Sequence, residues 1–432
     1  MQKAKTTGLV WFRNDLRIRD QHSLSQAIAA HDRVIAVYHL PKHWLQPTQW
    51  GFKKMERFRA AFLLQTLAQL QKDLAKLNIS LWVKVGRWDA LLKELQKTYN
   101  VTSIYGQKEW TQEELDDNAQ IPAGIEKHWY FDQFLFHPDD VPMQVADVPD
   151  VFTLFRKKCE KHASVRSALP VPSPMLEENR LTSVPKLPTL SSLGYENITV
   201  DKRTAIPFEG GEQAAWGRLE KYFWNTNQLS YYKKTRNGLL GKNYSSKFSI
   251  WLAFGSISPV SIYHEVKKYE KEVTKNDSTY WLVFELLWRD YFKYISMKHG
   301  NAIFKLGGLL QKDYTWKTNQ KHVKQWIDGA TPEPFINANM RELALTGFMS
   351  NRGRQNVASF FAKQWHLDWR IGAAYFEAML IDYDIHSNYG NWMYNAGVGN
   401  DPIDRKFNVG WQAERYDPNN KYQKTWLQTT LF

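Results

Sequence analysis

The chain has 432 residues, of which 43% are hydrophobic and 23% are charged, and this length and composition allow two or three folded domains. They exclude a chain that is disordered or fibrous as a whole. The single cysteine, Cys159, excludes a disulfide framework and a zinc module built on cysteine ligands, and it fits a reducing compartment.

The formal charge of +13 is spread unevenly along the chain. Residues 211–432 carry 29 Lys and Arg against 20 Asp and Glu (net +9), and residues 1–210 carry 28 against 24 (net +4). Of the 19 tryptophans, 12 lie from Trp216 onward. A basic, Trp-rich half suits a polyanionic partner, with nucleic acid as the first candidate, because tryptophan stacks on bases. Core tryptophans in a merely basic protein are the alternative.

No export or membrane segment is predicted. The N-terminus leads into an apolar strand without the core of a signal peptide, and no organelle-targeting signal is evident. The longest uncharged apolar stretch, 248–264, contains four serines, Gly255 and Pro259, which make it a poor membrane span. We expect a monomer without membrane contact, cytoplasmic if the source is prokaryotic.

The first 135 residues alternate between two periodicities. Short apolar runs predict buried strands at 8–12, 33–38, 79–85 and 101–105. Apolar residues at helical spacing predict helices over 22–31, 53–77, 88–98 and 111–127. This alternation predicts a Rossmann-like parallel sheet with crossover helices, in which we expect five strands although only four runs are identified. The chain contains neither a G-x-G-x-x-G after the first strand nor a G-x-x-x-x-G-K-[ST], so an ordinary dinucleotide fingerprint and a P-loop are excluded.

The rest of the chain divides into a connector and a helical part. Nine of the 17 prolines lie within residues 138–207, where the only predicted helix is at 151–162. Beyond this stretch, helical spacing predicts helices over 211–228, 245–254, 259–271, 278–299, 320–328, 337–347, 352–366 and 369–380. We therefore predict an α/β domain over 1–135, a connector over 136–210 and an all-helical domain over 211–432.

Two segments of the helical half combine charged and aromatic side chains. The segment 244–249, Tyr-Ser-Ser-Lys-Phe-Ser, precedes an apolar run, and its serines and Lys247 suit an anion site at a helix start. A plain helix cap is the alternative. One predicted helix face carries Glu285, Trp288, Arg289 and Phe292. Burying such charges is costly unless they pair with each other or with a ligand, so this face is a candidate ligand site. A surface ion pair beside a core tryptophan is the alternative.

Two later segments are rich in hydrogen-bonding side chains. The first carries Asn351, Arg352, Arg354 and Gln355. Polar forks of this kind recognise phosphates and the edges of bases or flavins, and a solvated helix face is the alternative. In the second, Asp382 and Asp384 follow an apolar helix. No metal is predicted there, because no His or Cys set at ligand spacing accompanies the two acids, and hydrogen bonding to ribose hydroxyls and a heterocycle fits them as well.

These motifs together resemble the photolyase/cryptochrome family over nearly the whole chain. The family's order and spacing are found in Val10-Trp-Phe-Arg-Asn-Asp-Leu-Arg17, Ser245-Ser-Lys-Phe-Ser249, Glu285-Leu-Leu-Trp-Arg289, Asn351-Arg-Gly-Arg354 and Asp382-Tyr-Asp-Ile-His-Ser-Asn388. Segments 236–240, 349–358 and 397–402 are similar to the DASH cryptochrome branch in particular. The resemblance implies an antenna-binding α/β domain and a helical domain that binds DNA and holds FAD in a folded U shape.

The resemblance also implies roles for individual residues at the flavin. Carried over by motif, the cofactor-binding residues are Tyr232, Ser245, Ser246, Lys247, Phe248, Ser249, Glu285, Arg289, Phe348, Asn351, Arg354, Asp382, Asp384 and Asn388. Tyr232 and the segment 245–249 would hold the diphosphate. Arg354 would face Asp382, and Asn388 would lie near N5 of the flavin.

The activity that the resemblance implies is light-driven repair of cyclobutane pyrimidine dimers, mainly in single-stranded DNA. Excited, reduced FAD gives the dimer an electron, and the dimer, drawn out of the base stack, splits and returns it. The catalytic residues implied are Glu285, Trp288, Tyr394 and Asn388. The DNA-binding residues implied are Arg352, Gln355, Trp288 and Tyr394. A blue-light photoreceptor that binds nucleic acid and regulates expression is the alternative, and a flavin-free RNA-binding protein is a third.

Two further functions follow from the same resemblance. Trp392, Trp369 and Trp316 fall at the positions of the family's electron-transfer chain, which would reduce oxidised flavin from the surface inward. Core packing is the alternative for each of them. The branch typically binds 5,10-methenyltetrahydrofolate as an antenna at the domain boundary, and Glu109 resembles its carboxylate contact.

Overall fold

The computed structural model describes residues 6–312, 314–401, 404 and 406–428. Its N-terminal part is a sheet of five parallel strands in the order β3-β2-β1-β4-β5, namely β1 (Thr7–Phe12), β2 (Arg33–Leu40), β3 (Ser80–Val85), β4 (Val101–Gln107) and β5 (Glu126–Tyr130). The helices that link them are α1 (His22–Ala30), α2 (Arg57–Lys76), α3 (Trp88–Tyr99) and α4 (Gln112–Ala119). The predicted Rossmann-like parallel sheet is confirmed.

The central strands are apolar on both faces because both faces are covered. Leu9 and Trp11 of β1 lie on one face, where they cluster with Leu91 of α3. Val10 and Phe12 lie on the other face and belong to the core that extends into the helical part. Successive side chains of a strand alternate between faces, so a doubly covered strand requires an unbroken apolar run.

The predicted helix 111–127 is wrong in its second half. Helix α4 ends at Ala119, and β5 begins at Glu126. Pro122 has no N–H group to donate to a helix, and Gly124 adopts a φ of +87° that favours glycine, so the chain turns between the two elements. Strand β5 lies at the edge of the sheet and contains no buried residue, which is why its sequence lacks an apolar run.

The proline-rich connector is bound to both parts of the molecule. It contains the short helix predicted there, α5 (Phe152–His162). Phe155 of α5 is fully buried, and its ring centroid lies 5.4 Å from that of Tyr291 in the helical part. Asn179 forms two hydrogen bonds of 2.8 and 3.0 Å with the backbone of Val34 in β2. These contacts hold the connector against the surface of both parts.

The C-terminal part is helical wherever the structure describes it in regular elements, as predicted. Its helices are α6 (Glu212–Glu220), α7 (Tyr232–Thr235), α8 (Ser249–Ala253), α9 (Pro259–Glu272), α10 (Asp277–His299), α11 (Gln320–Ile327), α12 (Pro334–Thr346), α13 (Asn351–Ser359), α14 (Trp369–Met379), α15 (Ile385–Ala396), α16 (Val409–Tyr416) and α17 (Lys421–Leu427). Helices α6 and α13 continue into the π-helical turns Lys221–Asn225 and Phe360–Gln364. Within the described residues, no helix combines the length and apolarity that crossing a bilayer requires.

Two buried ionisable side chains join the helical part to the sheet. Asp290 of α10 accepts hydrogen bonds from the backbone N–H groups of Leu135 (3.0 and 2.9 Å) and Phe136 (2.9 Å). The Arg17 guanidinium, which follows β1, donates to the Gly255 carbonyl oxygen at 3.0 Å. A buried polar group left without its partner costs about 1–3 kcal/mol, so these bonds fix how the two parts meet.

Asp290 gives the fold a pH dependence. Burial raises the pKa of Asp290 from 3.8 to about 7, although the N–H groups of Phe136 and Leu135 oppose the change. The native protein therefore keeps a proton that the unfolded chain releases, and the stabilisation present below pH 3.8 is lost as the pH rises through about 7. We expect Asp290 alone to contribute a fall of about 1.4 kcal/mol per pH unit to the free energy of unfolding within this window, in addition to the contributions of other titrating groups. Urea denaturation at several pH values measures this slope; Asp290→Asn should lower it, and equal slopes in both proteins would contradict the assignment.

Candidate functional site

The helical part contains three adjoining cavities that are partly open to solvent. The central cavity lies between α8, α10 and the start of α13. The rear cavity reaches Trp392 of α15, and the outer cavity reaches Trp288 of α10. Asn351 and Ser387 line all three, so the cavities share walls and form one system.

The structure brings together all fourteen residues that the resemblance assigns to the cofactor. Twelve of them line the central cavity, and Asp384 and Asn388 line the rear cavity. The sequence analysis missed Arg236, Ser387 and Asn391, which line the same system. A signal for two of them exists, because Arg236 begins a DASH-like segment and Ser387 lies inside the last of the family motifs.

Lys247 is a buried cation without an anionic partner. It is 3% exposed and lies in a left-handed turn with a φ of +60°, so the predicted helix 245–254 begins only at Ser249. Its Nζ lies 3.2 Å from the ring centroid of Tyr244 and 3.5 Å from Ser245 Oγ, and it forms no ion pair within the described residues. Burial lowers the pKa of Lys247 well below its ordinary value. A bound anion would offset this cost, so the wall suits a phosphate or diphosphate.

A buried ion pair stands between the central and rear cavities. Arg354 Nη2 donates to both carboxylate oxygens of Asp382 at 2.9 Å. Ser249 Oγ donates to Asp382 Oδ2 at 2.6 Å, and Arg354 Nε donates to the Met349 carbonyl oxygen at 2.9 Å. Asp382 is 6% exposed, and these donors compensate its charge. The pair orders the start of α13 and holds polar groups at the cavity wall.

A second carboxylate, Asp384, is kept ionised in the rear cavity. Lys293 Nζ donates to Asp384 Oδ2 at 2.9 Å, and Asp384 Oδ1 caps α15 by accepting from the Ser387 N–H at 2.8 Å. Burial raises the pKa of Asp384, but the Lys293 ammonium outweighs it and the net pKa lies below its ordinary value. Asn388 Nδ2 donates to the Ala373 carbonyl oxygen at 3.0 Å, which fixes this amide beside the same cavity.

The outer cavity combines aromatic walls with a half-buried carboxylate, Glu285. Trp288 and Tyr394 line it. Glu285 forms an ion pair with Arg236, and burial raises the pKa of Glu285 although the Arg236 guanidinium opposes this. Gln355 Oε1 is buried in the same region without a hydrogen-bond partner in the described residues. An unmet acceptor beside two aromatic rings is suited to a flat ligand that carries N–H groups.

Trp288 and Arg352, which are predicted to contact DNA, also pack against aromatic side chains of the protein. Trp288 stacks on Phe152 of the connector, with ring centroids 3.7 Å apart. Arg352 lies outside the lining of the three cavities, and its guanidinium sits over the Tyr416 ring, 4.7 Å from the centroid. Arg352 Nη2 also donates to Asn237 Oδ1 at 3.3 Å. The connector thus supports one side of the outer cavity, and Arg352 lies beside it.

The three tryptophans of the predicted electron-transfer chain extend from the rear cavity towards the surface. Trp392 lines that cavity and is 1% exposed, and Trp369 at the start of α14 is fully buried. Trp316 is half-buried, and the residue after it, Lys317, accepts a backbone hydrogen bond of 3.0 Å from Asp368. Trp316 and Trp369 therefore flank one backbone bridge. Trp392 and Trp369 are thus both buried, and Trp316 is the most exposed of the three.

Glu109 lies apart from these cavities, beyond the carboxyl end of β4. It is 7% exposed, accepts a hydrogen bond from Gln107 Nε2 at 2.5 Å and lies 4.0 Å from His386 Nε2 of α15. Burial raises the pKa of its carboxyl group. Strand order reverses between β1 and β4, and open α/β sheets bind ligands outside their carboxyl ends at such a point. Glu109 therefore lies at the switch point of the sheet, where the two parts of the molecule meet.

Comparison with known proteins gives matches along nearly the whole chain. A family model described as DNA photolyase matches residues 8–175, and one described as the FAD binding domain of DNA photolyase matches residues 281–430. Cryptochrome DASH of Synechocystis sp. is 45% identical over 99% of this chain and 88% of the relative. The chloroplastic/mitochondrial cryptochrome DASH of Arabidopsis thaliana is 43% identical, over 99% of this chain and 76% of the relative.

Solved structures agree with these relatives. The crystal structure of the Synechocystis cryptochrome has a TM-score of 0.94 at 44% identity and covers 99% of this chain and 89% of that one. An archaeal photolyase from Sulfolobus tokodaii, solved with two FAD molecules, has a TM-score of 0.78 at 26% identity, over 98% and 90% of the two chains. The sheet, the FAD-binding domain and the full-length identities lead to one assignment. The chain belongs to the photolyase/cryptochrome family, and within that family to the DASH cryptochromes.

Proposed function

We propose that the protein uses light and FAD to repair cyclobutane pyrimidine dimers, mainly in single-stranded DNA. One observation carries this proposal, namely the wall that the central and outer cavities share. Glu285, Arg289 and Asn351 line both cavities. A cofactor held in the central cavity and a pyrimidine dimer held in the outer cavity would therefore contact the same side chains.

The residues of the central and rear cavities fit FAD. Lys247, a buried cation without a carboxylate, would bind the diphosphate. The ion pair of Arg354 with Asp382 and the fixed amide of Asn388 would hydrogen-bond polar groups of the flavin. When bound and reduced, FAD supplies the excited electron that splits a pyrimidine dimer.

The outer cavity supplies groups that would hold and orient the dimer. Trp288 and Tyr394 would pack against its apolar face. Gln355 Oε1, an unmet acceptor, would accept from a pyrimidine N–H. In its protonated form, which burial favours and the Arg236 guanidinium opposes, Glu285 would donate a hydrogen bond to a dimer carbonyl oxygen. Such a bond strengthens as negative charge develops on that oxygen.

Single strands are the proposed substrate because the outer cavity must receive bases that have left the stack. Extruding bases from a duplex costs a few kcal/mol, and an unpaired strand avoids the loss of pairing. The net charge of +9 on residues 211–432 would attract the phosphates of either form.

Glu285→Gln is expected to slow repair about tenfold while FAD stays bound, since the amide keeps the shape and can still donate, but its N–H is a weaker donor than a carboxylic acid to an oxygen that gains negative charge. A loss of about 1.4 kcal/mol corresponds to this factor. The assay illuminates the reduced protein with dimer-containing oligothymidylate and follows the recovery of thymine absorbance. The flavin band of the variant serves as its control, and loss of flavin would show that Glu285 supports the cofactor instead. A wild type that binds the strand tightly but restores no thymine would refute repair and favour the photoreceptor alternative.

We also propose that 5,10-methenyltetrahydrofolate binds near Glu109 as an antenna. The support is positional, because Glu109 stands at the carboxyl edge of the sheet where the strand order reverses. Its neighbour Trp110 donates a hydrogen bond of 2.8 Å to Ser296 of α10, so this edge contacts the helical part. A pigment there would lie close to the domain that binds the flavin.

A further inference from the structure

Trp411 is an unusual surface residue of this molecule. All 19 tryptophans lie within the described residues, and only Trp411 is exposed, at 50%. Asn408 Oδ1 accepts a hydrogen bond of 2.9 Å from the Trp411 N–H and so caps helix α16, which fixes the backbone that carries the indole. Tryptophan side chains are usually largely buried, so an indole half in water on an ordered helix is a candidate contact surface.

Cations and aromatic rings alternate along the surface beside this indole. Arg415, one helical turn later, places its guanidinium 5.0 Å from the Trp411 ring centroid and 5.6 Å from that of Tyr416. The guanidinium of Arg352, on α13, also lies over the Tyr416 ring, 4.7 Å from its centroid. The four side chains Trp411, Arg415, Tyr416 and Arg352, here called the Trp411 strip, alternate aromatic rings with cations.

The Trp411 strip is continuous with the outer cavity. Arg352 follows Asn351 and precedes Gln355 by three residues on α13, and both of these line the outer cavity. Helix α16 is attached to α13 next to this point, because Asn356 Nδ2 donates to Gln412 Oε1 at 3.4 Å. The strip therefore leads from the wall of the outer cavity across α13 to the exposed indole on α16.

We propose that Trp411 is a stacking platform for an unpaired base of the DNA strand that flanks the dimer. This proposal rests on the proposed function, which places a damaged strand in the outer cavity. The arginines of the strip would contact phosphates, and the indole would stack on the face of a base. Bases within a duplex are already stacked on their neighbours, so the platform selects single strands. The positive charge of the strip favours a polyanion over a protein partner.

The test is dark equilibrium binding of a fluorescent, undamaged oligothymidylate and of the matching duplex, read by anisotropy. Trp411→Ala should weaken single-strand binding about tenfold, which is within the range for one lost base–aromatic stack, and should leave duplex binding unchanged. Trp411→Phe should restore most of the single-strand affinity. Arg415→Gln should weaken binding of both forms and lower the salt slope by about one, because it removes a phosphate contact.

The outcomes separate this proposal from the proposed function. A Trp411→Ala protein that binds single strands like the wild type would overturn the platform, and so would an equal loss on single strands and duplex, which would indicate an indirect effect on the fold. Because the probe is undamaged and kept dark, the result does not depend on repair. If the wild type repairs no dimers under light but Trp411→Ala shows the selective loss, the platform stands and the repair function fails.

Discussion

Asp382→Ala is expected to remove most of the bound flavin and to lower the free energy of unfolding by about 3 kcal/mol. Asp382 accepts hydrogen bonds from Arg354 and from Ser249, and all three residues line the central cavity. Breaking a buried ion pair costs about 3–5 kcal/mol because it leaves a charge uncompensated, and the 24% exposure of the Arg354 side chain places the cost at the lower end. The freed guanidinium would also disorder the wall that the flavin needs.

Two variants serve as controls for this result. Asp382→Asn keeps the shape and one acceptor, so it should retain more flavin and more stability than the alanine variant. Asp368→Ala removes the partner of Arg370, a pair 2.7 Å apart that lines none of the three cavities, so it should lose stability but keep its flavin. Urea denaturation and the ratio of flavin to protein absorbance give both quantities. An Asp382→Ala protein with the wild-type flavin ratio would contradict the role of the pair.

The fold could largely be predicted because its strongest signals are local. The strands at 8–12 and 33–38 are buried on both faces, because helices cover both sides of the sheet. A strand of this kind is apolar at every position, so its sequence alone identifies it. The long helices α2 and α10 likewise show their buried face in their own spacing. In each case the residues that decide the structure are neighbours in sequence.

The parts that escaped prediction depend on other surroundings. Strand β5 is an edge strand of polar and aromatic residues, with no apolar run to mark it. Helix α15 contains Asn388, Asn391, Asn395 and Gly390, residues with weak helix propensity, and it holds because Asp384 caps it and neighbouring helices cover it. Tertiary packing overrides propensity at such a site.

The site shows the same division. The family motifs predicted the fourteen residues that line the cavities. The ion-pair partners of the charged residues among them could not be predicted from sequence spacing. Glu285 pairs with Arg236 across 49 positions, and Asp384 pairs with Lys293 across 91. Such pairs are set by how helices meet in space, so they require the structure. The partners also affect the pKa shifts: Lys293 outweighs burial and lowers the pKa of Asp384, whereas at Glu285 burial outweighs Arg236 and the pKa is raised.

Trp392 is where the proposed electron-transfer chain meets the rear cavity. Its indole packs on α14 at Gly372, where an added Cβ would come within 2.2 Å of the ring, so the absence of a side chain there sets the position of the indole. Its Nε1 has no hydrogen-bond partner within the described residues. Trp369 begins the same helix α14, so one rigid element supports both tryptophans. These contacts are what packing requires, so the role in electron transfer that the family resemblance implies for Trp392 has to be separated from packing by substitution.

Trp392→Phe should therefore abolish most of the photoreduction of bound flavin while flavin content stays near that of the wild type. Phenylalanine fills most of the same space but is far harder to oxidise than an indole, so the relay stops at this position. The measurement is loss of oxidised-flavin absorbance under blue light with an external reductant. Trp326→Phe is the matched control, because Trp326 is equally buried, 6.1 Å from Trp392 between ring centroids, and lines none of the three cavities. If Trp392→Phe photoreduces its flavin as fast as the wild type, or if both variants lose photoreduction equally, Trp392 serves only in packing.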